Sequence, residues 1–326
     1  MRAVVNDSPG GPEVLRLAEI PDPALQADEV LIEVVASGVN RADLLQRQGF
    51  YPPPVGASTI LGLECSGRIA DVGRDVDGWR PGDEVCALLT GGGYASRVAV
   101  PAGQVMPLPP GVSLDEAAGV PEVAATVYSN LAMTAHLAPP EWLLIHGGAS
   151  GIGTFATQWA NAIGAKVIVT TGGPGKQEFC RSLGAEVAID YHVDDFTDAV
   201  LDATGGAGVD VILDIMGAKY LDANVASLAL RGRLVIIGLQ GGVKGELNLG
   251  QLLIRGGTIH ATSLRARSAA EKADICTQLV TEVWPLIGNG QVRPIIDDVV
   301  PVENVIRAHE RLDQPDRRGK VVLSWT

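Results

Sequence analysis

Residues 142–158 read WLLIHGGASGIGTFATQ. Trp142-Leu143-Leu144-Ile145-His146 is an apolar run of strand length, closed by two glycines. The loop that follows has the spacing G-x-x-G-x-G when counted from Gly148, and a helix is expected from about residue 154 to 163. Lys166–Thr171, KVIVTT, supplies a second strand, so strand, loop, helix and strand fit in roughly 30 residues. A glycine turn between a strand and a helix gathers free backbone N–H groups and the positive helix end at one point. That is a cradle for a pyrophosphate, and it assigns Gly148, Ala149, Ser150, Gly151, Ile152 and Gly153 to cofactor binding.

The pattern continues outward. From 120 to 262, strand-like runs (EVAID, VDVILDIMG, GRLVIIGLQ, TIHATS) alternate with helical ones (KQEFCRSLGA, DDFTDAVLDATG, LDANVASLAL, LGQLLIRG). Alternation of this kind implies a parallel sheet covered on both faces. The end of the second strand selects the nucleotide. A chain that binds NAD usually carries Asp or Glu there, for the ribose 2′-hydroxyl. Here the segment is Thr170-Thr171-Gly172-Gly173-Pro174-Gly175-Lys176. No carboxylate opposes a 2′-phosphate. Lys176 can attract one, and Tyr191 can hydrogen-bond it, so NADPH is expected. A solvated lysine at a helix start and a packing tyrosine fit the same two positions. Gly238, Leu239 and Gln240 end the GRLVIIG strand on the carboxyl edge, where ligands of such sheets bind.

Residues 1–110 have another texture. LIEVVASGVN, CALLT and GGGYASRVAV are β-branched or apolar runs, separated by Pro52-Pro53-Pro54, Pro81-Gly82-Asp83 and Pro109-Pro110-Gly111. Many short strands with Gly/Pro turns suggest a folded-over sheet or small barrel. Residues 263–326 contain two helical segments and a final strand, KVVLSWT. That tail is too short for a domain and is expected to join the first zone.

Composition narrows the function. The 326 residues carry a formal charge of −13, with 25 Lys and Arg against 38 Asp and Glu. No basic footprint for nucleic acid is expected, and 4% aromatics leaves little for base stacking. No apolar run approaches the ~20 residues of a membrane span. MRAVVNDSPGGPEVL lacks the basic and long apolar regions of a signal peptide. The four cysteines form no CxxC pair. A reducing, cytoplasmic setting is expected. The five histidines show no ligand spacing.

ASGVNRADLLQRQGFYPPP (36–54), ILGLECSGRI (60–69), RPGDEVCALLTGGGYAS (80–96), the 142–158 stretch, GKQEFCRSLGA (175–185) and RGKVVL (318–323) together resemble one superfamily over nearly the whole chain. It is the medium-chain dehydrogenase/reductases. Within it the chain is most similar to the zinc-free, zeta-crystallin-type NADPH:quinone oxidoreductases of the tumour-suppressor-inducible subgroup. The resemblance implies an α/β fold, with a Rossmann doubly wound parallel sheet inserted into a GroES-like β-rich catalytic domain. Residues 121–265 would form the Rossmann NADP-binding domain, and 1–120 with 266–326 the catalytic one. It also implies a homodimer through the sheet edge near 231–264.

The resemblance bears on metal as well. Zinc alcohol dehydrogenases of this superfamily place a Cys where this chain has Asn40, and a His-Glu pair where it has Leu63-Glu64. Asn and Leu do not replace thiolate and imidazole on zinc, so no metal is expected. The resemblance carries Asn40, Tyr51 and Ser150 over as catalytic candidates. A turn amide, a loop anchor and a helix N-cap are the structural alternatives. It places Thr126, Ser263, Leu264 and Arg265 beside the cofactor. The expected reaction is hydride transfer from NADPH to a quinone held in a cleft between the domains. An enone or enoyl-thioester acceptor is the alternative reaction. A non-catalytic NADPH-binding sensor is the alternative of another kind.

Overall fold

Six strands from the middle of the chain pair only in parallel. Their spatial order is Val187–Asp190, Lys166–Thr171, Trp142–His146, Val209–Asp214, Leu228–Ile236, Thr258–Ala261. In chain order within this sheet that is 3-2-1-4-5-6, the doubly wound Rossmann arrangement. The direction of winding reverses between Trp142–His146 and Val209–Asp214, which is where such sheets bind ligands. Leu144, Ile168, Ile189, Ile212 and Leu234 pack on one face with Phe196 and Val200. The neighbours Leu143, Ile145, Val167, Val169, Val211 and Leu213 are equally buried. Strands buried on both faces read as continuous apolar runs.

The computed structural model describes residues 1–326. Chain contacts group Thr126–Ser263 with Gln291–Arg293 around this sheet. Met1–Ala125, Leu264–Gly290 and Pro294–Thr326 form the other unit. Both chain ends therefore build one body, and the Rossmann unit is inserted between them.

The first unit is organised by the strand Glu29–Val39. One of its edges pairs antiparallel with Glu64–Val72 along most of its length. The other edge is shared. Residues 29–33 pair with Arg97–Pro101, and 36–39 pair with Lys320–Ser324. One 11-residue strand thus serves three neighbours, as a folded-over sheet requires. Its core joins Val30, Ile32, Ile69, Val85 and Val100.

Local differences from the sequence pattern have physical reasons. The helical reading of LDANVASLAL overruns: the helix stops at Ser227, and Leu228–Ile236 is strand, with a bulge opposite Val209–Val211. The ALAL run fits either period. Ile296–Pro301 is a strand that the pattern does not announce, because Asp297-Asp298 interrupts its alternation. The helix from Ala269 is broken by a π-turn at Leu279–Val283, one turn before Pro285.

Both buried histidines are structural. His146 Nδ1 lies 3.0 Å from Thr170 Oγ1, and Nε2 lies 2.7 Å from Asn224 Oδ1. Burial pushes its pKa down to about 4. In the other unit, Arg47 donates to His309 Nδ1 at 3.0 Å. Arginine only donates, so Nε2 carries the proton and faces the Tyr94 hydroxyl at 3.2 Å. Burial first, and then the Arg47 charge, push the His309 pKa down to about 3.

An unfolded histidine takes a proton near pH 6.5, so the unfolded state binds more protons below that pH. The stability that His309 contributes is therefore lost as pH falls from about 6.5 toward 3. In urea unfolding, the margin of the wild type over His309→Gln should shrink by about 2 kcal/mol between pH 6.5 and pH 5. A constant margin would contradict the buried neutral assignment.

Candidate functional site

The glycine loop is assembled by the first two strands of the Rossmann sheet. Gly147 and Gly148 donate their N–H groups to Thr170 O at 3.1 and 2.9 Å. The loop backbone is thereby laid against the neighbouring strand. A Cβ on Gly148 would sit 2.6 Å from Val169 Cβ, and one on Gly153 would sit 2.3 Å from Gly147 O. No side chain fits at either position. Ser150 is the N-cap of the helix Gly151–Ala162, and its Oγ accepts the Gly153 N–H at 3.0 Å. Ser150 N is used by Gly147 O. The N–H groups of Ala149, Gly151 and Ile152 have no acceptor in the protein. Three orphan donors at the start of a 12-residue helix make an anion cradle.

A second cluster sits at the ends of the next two strands. Gly173, at φ 84°, precedes the helix Pro174–Ser182, and Lys176 lies in its first turn. The Tyr191 hydroxyl would be 2.8 Å from a Cβ on Gly172. Tyr191 is exposed and rests on the His192 ring, with 4.5 Å between centroids. Asp190 ends the third strand. The N–H groups of His192 and Gly173 hold its carboxyl below the usual range. Asp190 thereby anchors the Gly172–Gly173 turn from beneath. The sequence reading missed it, although a carboxylate ending a strand just before Tyr191 was the visible signal.

Gly238 approaches the Ile215 backbone, and a Cβ there would meet Ile215 O at 3.0 Å. Gln240 N donates to the same carbonyl at 3.1 Å. Gly147 packs on the Ile215 side chain. Ile215, also missed, therefore joins the glycine loop to the Gly238–Gln240 turn. Leu239 is exposed there. Thr126 O accepts from Asn130 Nδ2 at 2.8 Å, and Asn130 Oδ1 accepts from Thr262 Oγ1 at 2.6 Å. That chain brings Thr126 beside the Thr262–Ser263 turn.

In the other unit, sheet register converges three strand ends. Val39 pairs with Val321 and Ser37 with Cys65, so Asn40, Lys320 and Glu64 lie together. Asn40 Nδ2 donates to Glu64 Oε1 at 2.9 Å. Lys320 Nζ donates to Asn40 Oδ1 at 2.5 Å, to Glu64 Oε1 at 2.6 Å and to Val39 O at 3.3 Å. Glu64 Oε2 accepts the Glu122 N–H at 2.9 Å. Gly38 is obligatory, because its Cβ would fall 2.2 Å from Glu64 Oε1. Burial, and then the Glu64 charge, push the Glu122 carboxyl up to about 8. Asp43 accepts the N–H groups of Asn40 and Gly62 at 2.8 and 3.0 Å, and burial raises its pKa to about 6.

Tyr51 lies on the proline-stiffened loop after the helix Arg41–Arg47. The Arg265 guanidinium stands 5.2 Å from its ring centroid, and Nη1 reaches Tyr51 O at 3.4 Å. Arg265 Nε donates to Thr90 O at 2.8 Å, and the residue is 4% exposed. The structure thus brings Arg265 to Tyr51, within the unit that also includes Leu264.

Comparison with known proteins gives a consistent set of likenesses. Residues 26–110 match the alcohol dehydrogenase GroES-like domain, and 151–278 match the zinc-binding dehydrogenase domain. A quinone oxidoreductase of Salmonella typhimurium is 32% identical over 317 residues, covering 96% of each chain. The crystal structure of Escherichia coli quinone oxidoreductase complexed with NADPH superposes with a TM-score of 0.88 at 30% identity, covering 99% of this chain and 100% of that one. The CurK enoyl reductase superposes with a TM-score of 0.86 at 29% identity, over 99% of each chain.

Gly153→Ala should lower stability by about 2–3 kcal/mol, since the new methyl collides with rigid backbone on both sides of the loop. Thermal unfolding checks this, and an unchanged melting temperature would contradict the close approach.

Proposed function

The chain belongs to the zeta-crystallin-type branch of the medium-chain dehydrogenase/reductase superfamily, and from that premise we propose that it is an NADPH-dependent reductase whose acceptor is a quinone. The observation that carries the cofactor is the trio of unpaired N–H groups on Ala149, Gly151 and Ile152, set where the sheet reverses its winding. They suit a pyrophosphate. Lys176 and the Tyr191 hydroxyl suit the 2′-phosphate that distinguishes NADPH from NADH, and Gly172 leaves it room. When bound, NADPH supplies a hydride from its nicotinamide ring. The protein's own task is to hold the acceptor, exclude water and meet the charge that develops on the acceptor oxygen. Asn40 supplies a donor N–H for that oxygen. The Tyr51 hydroxyl supplies the proton, from a ring held by Arg265. Ser150 shapes the end of the loop as the N-cap of the helix Gly151–Ala162.

The reaction is proposed to be zinc-free. The two oxygens that a cation would use, Asn40 Oδ1 and Glu64 Oε1, are already engaged by the Lys320 ammonium. Leu63 offers no ligand atom. The likeness to an enoyl reductase keeps an enone acceptor as the second reading.

We also propose a homodimer. The edge strand Thr258–Ala261 has one strand neighbour only. Beside it in sequence, Leu249, Leu253 and Ile254 of the helix Leu249–Arg255 are 68%, 81% and 75% exposed. An open strand edge next to exposed apolar side chains suits an identical partner related by a two-fold axis. No helix is long and apolar enough to cross a membrane, and a cytoplasmic location is proposed.

Fluorescence titration should show NADPH binding at least about tenfold tighter than NADH, with the preference lost in Lys176→Ala. Equal affinities in the wild type would defeat the 2′-phosphate reading. Turnover of quinones with poor turnover of enones supports the first acceptor class, and the reverse supports the second. In light scattering the wild type should run as a dimer and Leu253→Glu/Ile254→Glu as a monomer. A wild-type monomer would overturn the dimer.

A further inference from the structure

Half-buried Asn40 is hydrogen-bonded to the buried pair Glu64 and Lys320. We propose that Lys320 and Glu64 are positioning residues that fix which face of the Asn40 carboxamide meets the acceptor, making Asn40 a hydrogen-bond donor. The inference rests on the role given to Asn40 above.

An ammonium only donates, so the atom of Asn40 facing Lys320 Nζ at 2.5 Å is its oxygen. A carboxylate only accepts, so the atom facing Glu64 Oε1 at 2.9 Å is its nitrogen. Each partner alone excludes the flipped amide, and the two agree. All three ammonium hydrogens have acceptors: Val39 O, Asn40 Oδ1 and Glu64 Oε1. Both Glu64 oxygens are engaged, the second by the Glu122 N–H. The one cluster hydrogen left without a protein acceptor is the second N–H of Asn40. Glu64 and Lys320 are 0% and 5% exposed, whereas Asn40 is half-buried. The group offered to a ligand is therefore a fixed N–H. A freely rotating amide would present its carbonyl oxygen part of the time, and that oxygen repels a developing oxyanion. Lys320 also polarises the amide through its oxygen, which strengthens the N–H as a donor.

The test compares Asn40→Ala, Lys320→Met, the charge-balanced Lys320→Met/Glu64→Gln and the triple variant. Each is assayed for quinone turnover and for NADPH affinity. Asn40→Ala should lower kcat by about 100-fold, as loss of an oxyanion donor does. The balanced pair should lower it about 10-fold or more with NADPH affinity unchanged, and adding Asn40→Ala should cost no more than Asn40→Ala alone. That non-additivity is a result a purely structural role would not produce. Normal turnover in the balanced pair beside an impaired Asn40→Ala would overturn the inference and spare the role of Asn40. Losses that multiply in the triple variant would overturn it too. Normal turnover in Asn40→Ala would overturn both. Should the Lys320 variants fail to fold, the wild type still decides. One side-chain N–H signal, assigned by its loss in Asn40→Ala, should shift when hydroquinone is added to the NADP⁺ complex. No shift would contradict the proposal.

Discussion

A buried ammonium bonded to a buried carboxylate ties together residues 40, 64 and 320 of one unit. Removing either partner would strand a charge away from water, at a cost of about 3–5 kcal/mol. The Lys320–Glu64 contact therefore makes the C-terminal strand a necessary part of the body begun by the first hundred residues. Lys320 opens the strand Lys320–Ser324, which closes the remaining edge of Glu29–Val39. A chain that completes its first domain with its last strand must carry the intervening domain as an insertion, and Thr126–Ser263 is that insertion. The same ammonium engages Asn40 Oδ1 and Glu64 Oε1, and Asn40 keeps one N–H without a protein acceptor.

The inserted unit answers a different requirement. A dinucleotide needs its pyrophosphate met by dipoles that cost nothing to bring into place, and backbone N–H groups at a helix start are already fixed. Fixing them demands close approach of helix and strand, which is why Gly148 and Gly153 exclude a Cβ. The adjoining Gly172–Gly173 turn is held differently, with the Gly173 N–H donated to the Asp190 carboxylate. The proposed selectivity for NADPH rests on two side chains at that turn, Lys176 in the first turn of the following helix and Tyr191 beside Gly172.

How much was legible follows from the range of each interaction. The Rossmann sheet was readable because strand and helix periods alternate over short distances and the glycine loop is contiguous. The likeness of scattered segments to one superfamily identified the GroES-like half, whose strands pair across long separations. Asn40, Tyr51 and the loop residues could be named as candidates because they sit in recognisable motifs. The Lys320 contact could not, since its partners are 256 and 280 residues away. Nor does sequence tell which unit a residue at a crossing joins. Arg265 follows Ser263 by two positions, yet it packs on Tyr51 in the other unit. The short strand Ile296–Pro301 was hidden because two adjacent aspartates break its pattern.

The central claim is that this chain delivers a hydride from NADPH to one oxygen of a quinone, while Asn40 meets the negative charge that develops on the other. Single-turnover oxidation of NADPH deuterated at the transferred position of its nicotinamide C4 tests it most directly, with benzoquinone as acceptor. The account predicts oxidation slowed about twofold or more by deuterium, with no deuterium retained on carbon in the hydroquinone. NADPH that binds but is not consumed would contradict the account, and deuterium fixed on carbon would contradict transfer to the quinone oxygen.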